Sequence, residues 1–276
     1  MLSSPPPILI ADRFPVLLDS LMDLLASLTD EEWQRPVHGA WSVKDLAQHL
    51  LGDELNILSG QRDGYREKSG HIDSWDDLVT FINDRNDIWV RATRRLSPRI
   101  IMDLLREAGV QANAFFVSLD PFAIGGPVNW AGPDPAPFWL DIAREFTERW
   151  HHQQHIRAAV GKPGGTEPYV LAPVLAAFVR ALPVTYQHVV APDQTCVTLT
   201  ISGEAGGAWT VMREGERWQL YAGKPEKSAA EITLPEDVAW RLFTCGFSKE
   251  AARNVAVLSG DRYLAERALE TVSIIA

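Results

Sequence analysis

The stretch FWLDIAREFTERWHHQQHIRAAVGKPGG, residues 138–165, decides the architecture of this 276-residue chain. Phe138, Ile142, Phe146, Ile156, Ala159 and Val160 fall on one side of a 3.6-residue period, which predicts a long helix over Phe138–Val160 closed by Gly161. The following Gly161-Lys-Pro-Gly-Gly-Thr-Glu-Pro168 supports neither helix nor strand and marks the best domain boundary. Beyond it the period changes to two. Val197, Leu199 and Ile201 alternate with Thr198 and Thr200, and Trp209/Val211 and Trp218/Leu220 repeat the pattern around Gly-containing turns. Ala230–Leu234 extends the series, and the segments 235–245 and 261–272 read as helices. The expected second part is therefore an antiparallel sheet with helices on one face.

Upstream, the periodicity is helical. Phe14, Leu17, Leu18, Leu21, Leu24, Leu25 and Leu28 form one apolar stripe over Ala11–Leu28. Ser42-Val-Lys-Asp45 and Ser74-Trp-Asp-Asp77 have the capping-box pattern of helix starts, predicting helices to about Ser59 and Leu96. Ser97-Pro98 places proline at the first turn of another helix, running to about Val117. Residues 121–137, with five prolines and three glycines, are expected to be loop.

The charge balance is 26 basic against 36 acidic residues, a net −10, which argues against nucleic acid or an anionic membrane surface as the main partner. No repeat, P-loop, GxGxxG, GxSxG or HExxH pattern occurs. Cys196 and Cys245 lie far apart, so neither a disulfide scaffold nor a cysteine-built zinc site is expected, and a reducing cytoplasm suits them. The N-terminus has the makeup of no signal peptide. The apolar stretch Tyr169–Val184, interrupted by Pro173, Arg180 and Pro183, is expected to be a core helix and not a membrane span.

Candidate chemistry concentrates in Glu148-Arg-Trp-His-His-Gln-Gln-His155. Residues four apart stack on one helix face, so Glu148 with His152, or His151 with His155, could grip one ion. Imidazole and carboxylate suit a borderline divalent cation such as Zn²⁺, and three protein ligands would leave a coordination position open. At about 100° per residue, His152 lies about 50° from the centre of the apolar stripe, Glu148 about 90°, His155 about 110° and His151 about 150°. The Glu148/His152 pair is thus expected at the edge of the buried stripe and the His151/His155 pair toward solvent. A solvated, metal-free histidine face is the competing reading, and spacing leaves it open. His49, on the flank of the Leu46, Leu50, Ile57 stripe, reads by itself as a core histidine. Asp53 and Glu54 read as orienting groups for a nearby ligand or as a solvated helix end. His38, His71 and His188 read as surface or loop residues.

Taken together, Trp41-Ser-Val-Lys-Asp-Leu-Ala-Gln-His49-Leu and Glu148-Arg-Trp-His-His152-Gln-Gln-His155-Ile-Arg resemble the DinB-like superfamily, in its mycothiol-dependent maleylpyruvate isomerase branch. The resemblance covers nearly the whole chain. It implies a metal-binding four-helix bundle over residues 1–165 and a smaller α+β domain, similar to sterol-carrier-protein (SCP2-like) folds, over 166–276. It implies His49, Glu148 and His152 as ligands of a divalent metal, most simply zinc, and a low-molecular-weight thiol such as mycothiol as co-substrate. The implied activity is that of an isomerase or S-transferase on a small electrophilic substrate; a non-catalytic, metal-containing ligand-binding protein is the alternative. Two departures stand out. His155 occupies the place of a family aspartate, and Thr244-Cys-Gly-Phe247 replaces a Thr-Gly-Arg that would supply a carboxylate-binding arginine.

Overall fold

The structure, a computed structural model, describes residues 2–38, 41–65 and 74–274. Two compact units make up the chain. A helical unit comprises Ile10–Asp120 and Glu145–Gly165, and a sheet unit comprises Met1–Leu9, Pro121–Arg144 and Thr166–Ala276.

The helical unit contains α1 (Phe14–Ala26), the single turn α2 (Asp30–Trp33), a two-stranded ribbon β1/β2 (Pro36–His38, Trp41–Ser42), α3 (Val43–Asn56), α4 (Trp75–Thr93) and α5 (Pro98–Ser118). Serines start three of these helices. Ser42 accepts from the Asp45 amide while Asp45 accepts from the Ser42 amide, and Ser74 and Ser97 accept from Asp77 and Ile100. Beyond Asn56, α3 continues as a π-helical stretch, Ile57–Arg62. The long helix α6 spans Phe138–Val160 as expected, and the residues from Glu145 onward belong to the helical unit. Gly161, at φ +69°, ends it.

An aromatic node joins three of these helices. The Phe14 ring meets Phe116 at 4.7 Å and Phe146 edge-on at 5.3 Å, all three buried. Each such ring contributes roughly 1.5–3 kcal/mol by leaving water. Helix α3 packs against α4 and α5. Its approach to α4 depends on Gly52, because an added Cβ there would lie 2.7 Å from the Trp89 indole. That indole donates to the Gln48 carbonyl at 2.7 Å and fixes the turn of α3 that carries His49.

The sheet unit contains the hairpin β3/β4 (Ile124–Pro127, Pro135–Pro137), α7 (Pro168–Phe178), α8 (Leu182–Tyr186), β5 (Cys196–Ser202), β6 (Gly207–Glu214), β7 (Arg217–Ala222), β8 (Ala230–Pro235), α9 (Glu236–Phe243), α10 (Lys249–Val255), β9 (Val257–Gly260) and α11 (Arg262–Arg267). The small hairpin lies where only loop was expected; its antiparallel pairing joins Ile124 to Pro137 and Pro127 to Pro135. Pro168–Tyr186 is long and apolar enough to cross a membrane by composition, and 67% of it is buried in the structure. Leu171, Val174, Leu175, Ala177 and Phe178 form its buried side, as a core helix requires.

The five strands run in the order β7-β6-β5-β8-β9. All pairs are antiparallel except β5/β8, which is parallel with Val197 opposite Ala230 and Ile201 opposite Leu234. The sheet is thus mixed, a correction to the antiparallel expectation. The link 223–229 carries the chain from the β7 edge back past two strands, so β8 starts in the same direction as β5. Alternation within a strand records its buried face and carries no information about the direction of its neighbour. Helix α10 and strand β9 were not expected from sequence. Val197, Leu199, Ile201, Val211, Ile232 and Leu234 bury one face, and the Tyr186 hydroxyl donates to the Leu264 carbonyl at 2.6 Å beneath it.

Candidate metal centre

Three side chains from α3 and α6 meet inside the helical unit: His49, Glu148 and His152, each offering a ligand atom within 4.8 Å of the other two. The Nε2 atoms of His49 and His152 are 3.1 Å apart, and Glu148 Oε1 lies 2.8 Å from His152 Nε2 and 3.6 Å from His49 Nε2. A tetrahedral ion with bonds of about 2.05 Å has ligand atoms about 3.3 Å apart, which these three separations bracket. Asp53, one turn after His49, places Oδ2 3.3 Å from the same Nε2. Among the described residues, that buried oxygen has no hydrogen-bond donor, and the buried Nδ1 of His152 has no partner. The Trp41 indole walls one side, with its centroid 5.3 Å from the His49 ring and its Nε1 held by Asp87 at 3.1 Å.

The electrostatics of the cluster favour added positive charge. Burial alone would strip the proton from His49, but the negative charges of Asp53 and Glu148 reverse this and lift its pKa to about 9. Burial pushes Asp53 up to about 6 against the pull of His49. For Glu148 the burial penalty is overcome by His152 and His49, which hold it well below the usual carboxylate range. Two imidazole nitrogens facing one another across two carboxylates form a hard-and-borderline donor set of the kind that binds a divalent cation. The residues present therefore fit a metal.

A second polar cluster lies beside the first on the same helices. Arg149 donates to Glu54 through Nε at 2.6 Å and Nη2 at 2.8 Å, and through Nη1 to Glu145 Oε2 at 2.9 Å. All three side chains are buried, and the Phe14 and Phe116 rings lie together on one side of the guanidinium, 5.3 and 5.4 Å from its carbon. Despite the burial penalty, the two glutamates hold this guanidinium charged.

Several expectations change here. Asp53 faces His49 and Glu54 belongs to the arginine clamp, so neither forms a solvated helix end. His151 is 4% exposed, where the angular estimate turned it toward solvent. The estimate assumed one buried face, whereas α6 from Glu145 onward is enclosed on several sides, with Trp150, Gln153 and Ile156 all fully buried. His151 and His155 pair ring to ring, centroids 4.1 Å apart, and are not part of the three-donor cluster. His188 is exposed; His71 and the side chain of His38 lie outside the described residues. Nothing local announced the Arg149 clamp, because its partner Glu54 lies 95 positions away. Both cysteines are free.

The model of the mycothiol maleylpyruvate isomerase N-terminal domain matches residues 14–157. The chain belongs to this family. Among solved structures, a mycothiol-dependent maleylpyruvate isomerase is similar at TM-score 0.56 with 10% identity, over 92% of this chain and 93% of the other. A histidine-to-alanine mutant of a mycothiol-dependent maleylpyruvate isomerase is similar at TM-score 0.55 with 9% identity over the same shares. At such identity these likenesses establish the fold: a helical N-terminal region followed by a sheet-containing C-terminal region. Among curated proteins none matches. Within the family model's span, the two-helix placement of His49, Glu148 and His152 is this chain's own geometry.

Proposed function

We propose that His49, Glu148 and His152 hold a divalent metal, zinc by the fit of their donors, in a thiol-using isomerase or S-transferase for a small electrophilic substrate. The observation carrying this reading is the convergence of three donor atoms, His49 and His152 lying 103 positions apart, into an ion-sized triangle. When bound, such a metal lowers the pKa of a coordinated thiol and presents the nucleophilic thiolate at neutral pH. The protein's part is to hold its three ligands on two rigid helices, with Asp53 directing a negative oxygen at His49 and Trp41 shielding that ring. Family membership supports a small-molecule thiol as co-substrate, with mycothiol as the specific candidate. An acidic, reduced-cysteine chain of this kind suits the cytoplasm, with neither nucleic acid nor membrane as partner.

The test is thiol addition to unsaturated carboxylic acids by the metal-loaded protein, with mycothiol, bacillithiol and glutathione each supplied. Turnover with one thiol, reduced at least 100-fold in His49→Ala, is expected; no turnover with any of the three contradicts the catalytic reading.

One observation favours a second reading, a non-catalytic metal-containing binding protein. Thr244–Phe247 forms the turn after α9, with Cys245 at φ +59° and the Gly246 amide bonded to the Arg241 carbonyl, and it ends in Phe247 where the family resemblance implies an arginine. Metal binding without turnover would select this reading.

A further inference from the structure

Arg180, between α7 and α8 in the sheet unit, is a half-buried guanidinium with no acidic partner among the described residues. Its head is not free to wander. Nη2 donates to the Pro6 carbonyl at 2.6 Å, and the guanidinium carbon sits 5.0 Å over the Trp139 ring. Trp139 in turn packs on a buried apolar cluster of Val128, Trp130, Leu140 and Ala181. Among the described residues, Nε is buried with no acceptor and Nη1 makes no hydrogen bond. Burial alone draws the pKa down to about 10, and no carboxylate acts to restore it.

In a chain with ten more acidic than basic residues, leaving a positioned cation unpaired is unusual. Elsewhere the buried guanidinium, Arg149, has two glutamates. A fixed, partly desolvated cation without a counter-charge is an incomplete ion pair, and a carboxylate from outside completes it with charge-assisted hydrogen bonds.

We propose that Arg180 and Trp139 form a binding site for a small organic monocarboxylate with a planar or apolar body. A single guanidinium matches one negative charge, whereas phosphate sites gather several cations or amides. The half-buried indole, held in place by the cluster behind it, provides the apolar contact that a bare inorganic anion would not use. This site is independent of the metal reading, since it uses none of the same residues.

The experiment is isothermal titration of the full-length protein, treated with chelator, with benzoate, benzamide and inorganic phosphate. Benzoate is expected to bind one site per chain with millimolar affinity, benzamide at least tenfold more weakly, and phosphate more weakly than benzoate. Arg180→Gln should weaken benzoate at least tenfold and Arg180→Lys severalfold, while His49→Ala leaves it unchanged. Circular dichroism melts confirm that each variant folds; if Arg180→Gln does not, the benzamide comparison and Arg180→Lys decide. No benzoate binding, equal binding of benzamide, tighter binding of phosphate, or binding unchanged in the folded arginine variants overturns the proposal.

Discussion

Two polar clusters share helices α3 and α6, built from neighbouring residues: Glu54–Arg149–Glu145 and His49–Glu148–His152, with Asp53 beside Glu54 in sequence. In the first, Arg149 makes three charge-assisted bonds of 2.6–2.9 Å to the two carboxylates and has the Phe14 and Phe116 rings together on one side. It is complete as it stands. In the second, two imidazole nitrogens 3.1 Å apart face carboxylate oxygens, one of which lacks a donor, and the field draws a proton onto His49 up to a pKa of about 9. On the proposed reading, a cation at its centre would complete it. Placed side by side, the two assign different tasks to the same helix pair. The clamp fixes the register of α3 against α6, and the same register brings His49, Glu148 and His152 together one residue away.

The largest effect is expected from removing the arginine. Arg149→Met leaves two glutamates buried without their cation and should cost about 3–5 kcal/mol, measured by urea unfolding of the metal-free protein. Metal affinity should fall with it, because the helices lose their lock; a stable variant with unchanged affinity would separate the two clusters.

A pH series sharpens the comparison, since the clamp's guanidinium does not titrate in the accessible range while His49 does. The folded pKa of His49, about 9, stands above its ordinary 6.5. Its stabilising contribution is therefore full below pH 6.5 and is lost as pH rises through 9, an effect of up to about 3 kcal/mol. Asp53, raised to about 6 from an ordinary 3.8, acts in the same direction at lower pH. Unfolding free energy of the metal-free protein should fall from pH 6.5 to 9 in the native chain and stay nearly level over that range in His49→Gln. An equal slope in both would place the titration elsewhere.

The smallest effect isolates the scaffold. Ser42→Ala removes the cap of α3 and should cost about 1 kcal/mol in a thermal melt, with metal affinity unchanged within twofold.

What the sequence made legible was local. Ser42, Ser74 and Ser97-Pro98 start helices through contacts within three residues, and Gly161 ends α6 by its own backbone conformation. The pairing of Glu148 with His152 is also local, four residues along one helix. His49 is different: its spacing marks only a core position, and the resemblance to known relatives supplied its role. The burial of His151 was missed because a periodic argument sees one buried face while α6 has several. The parallel β5/β8 pair, the four-residue β9 and the Glu54–Arg149 bond all depend on chain segments meeting over long separations, which no window of sequence encodes.

On the proposed reading, the His49–Glu148–His152 cluster holds a metal ion. Metal titration of the chelator-stripped, full-length protein by isothermal calorimetry, with zinc and each neighbouring first-row ion, tests it directly. One equivalent per chain is predicted, weakened at least 100-fold in both Glu148→Gln and His152→Ala while the double variant His151→Ala/His155→Ala retains it. No stoichiometric binding, or loss only with His151 and His155, would contradict the account.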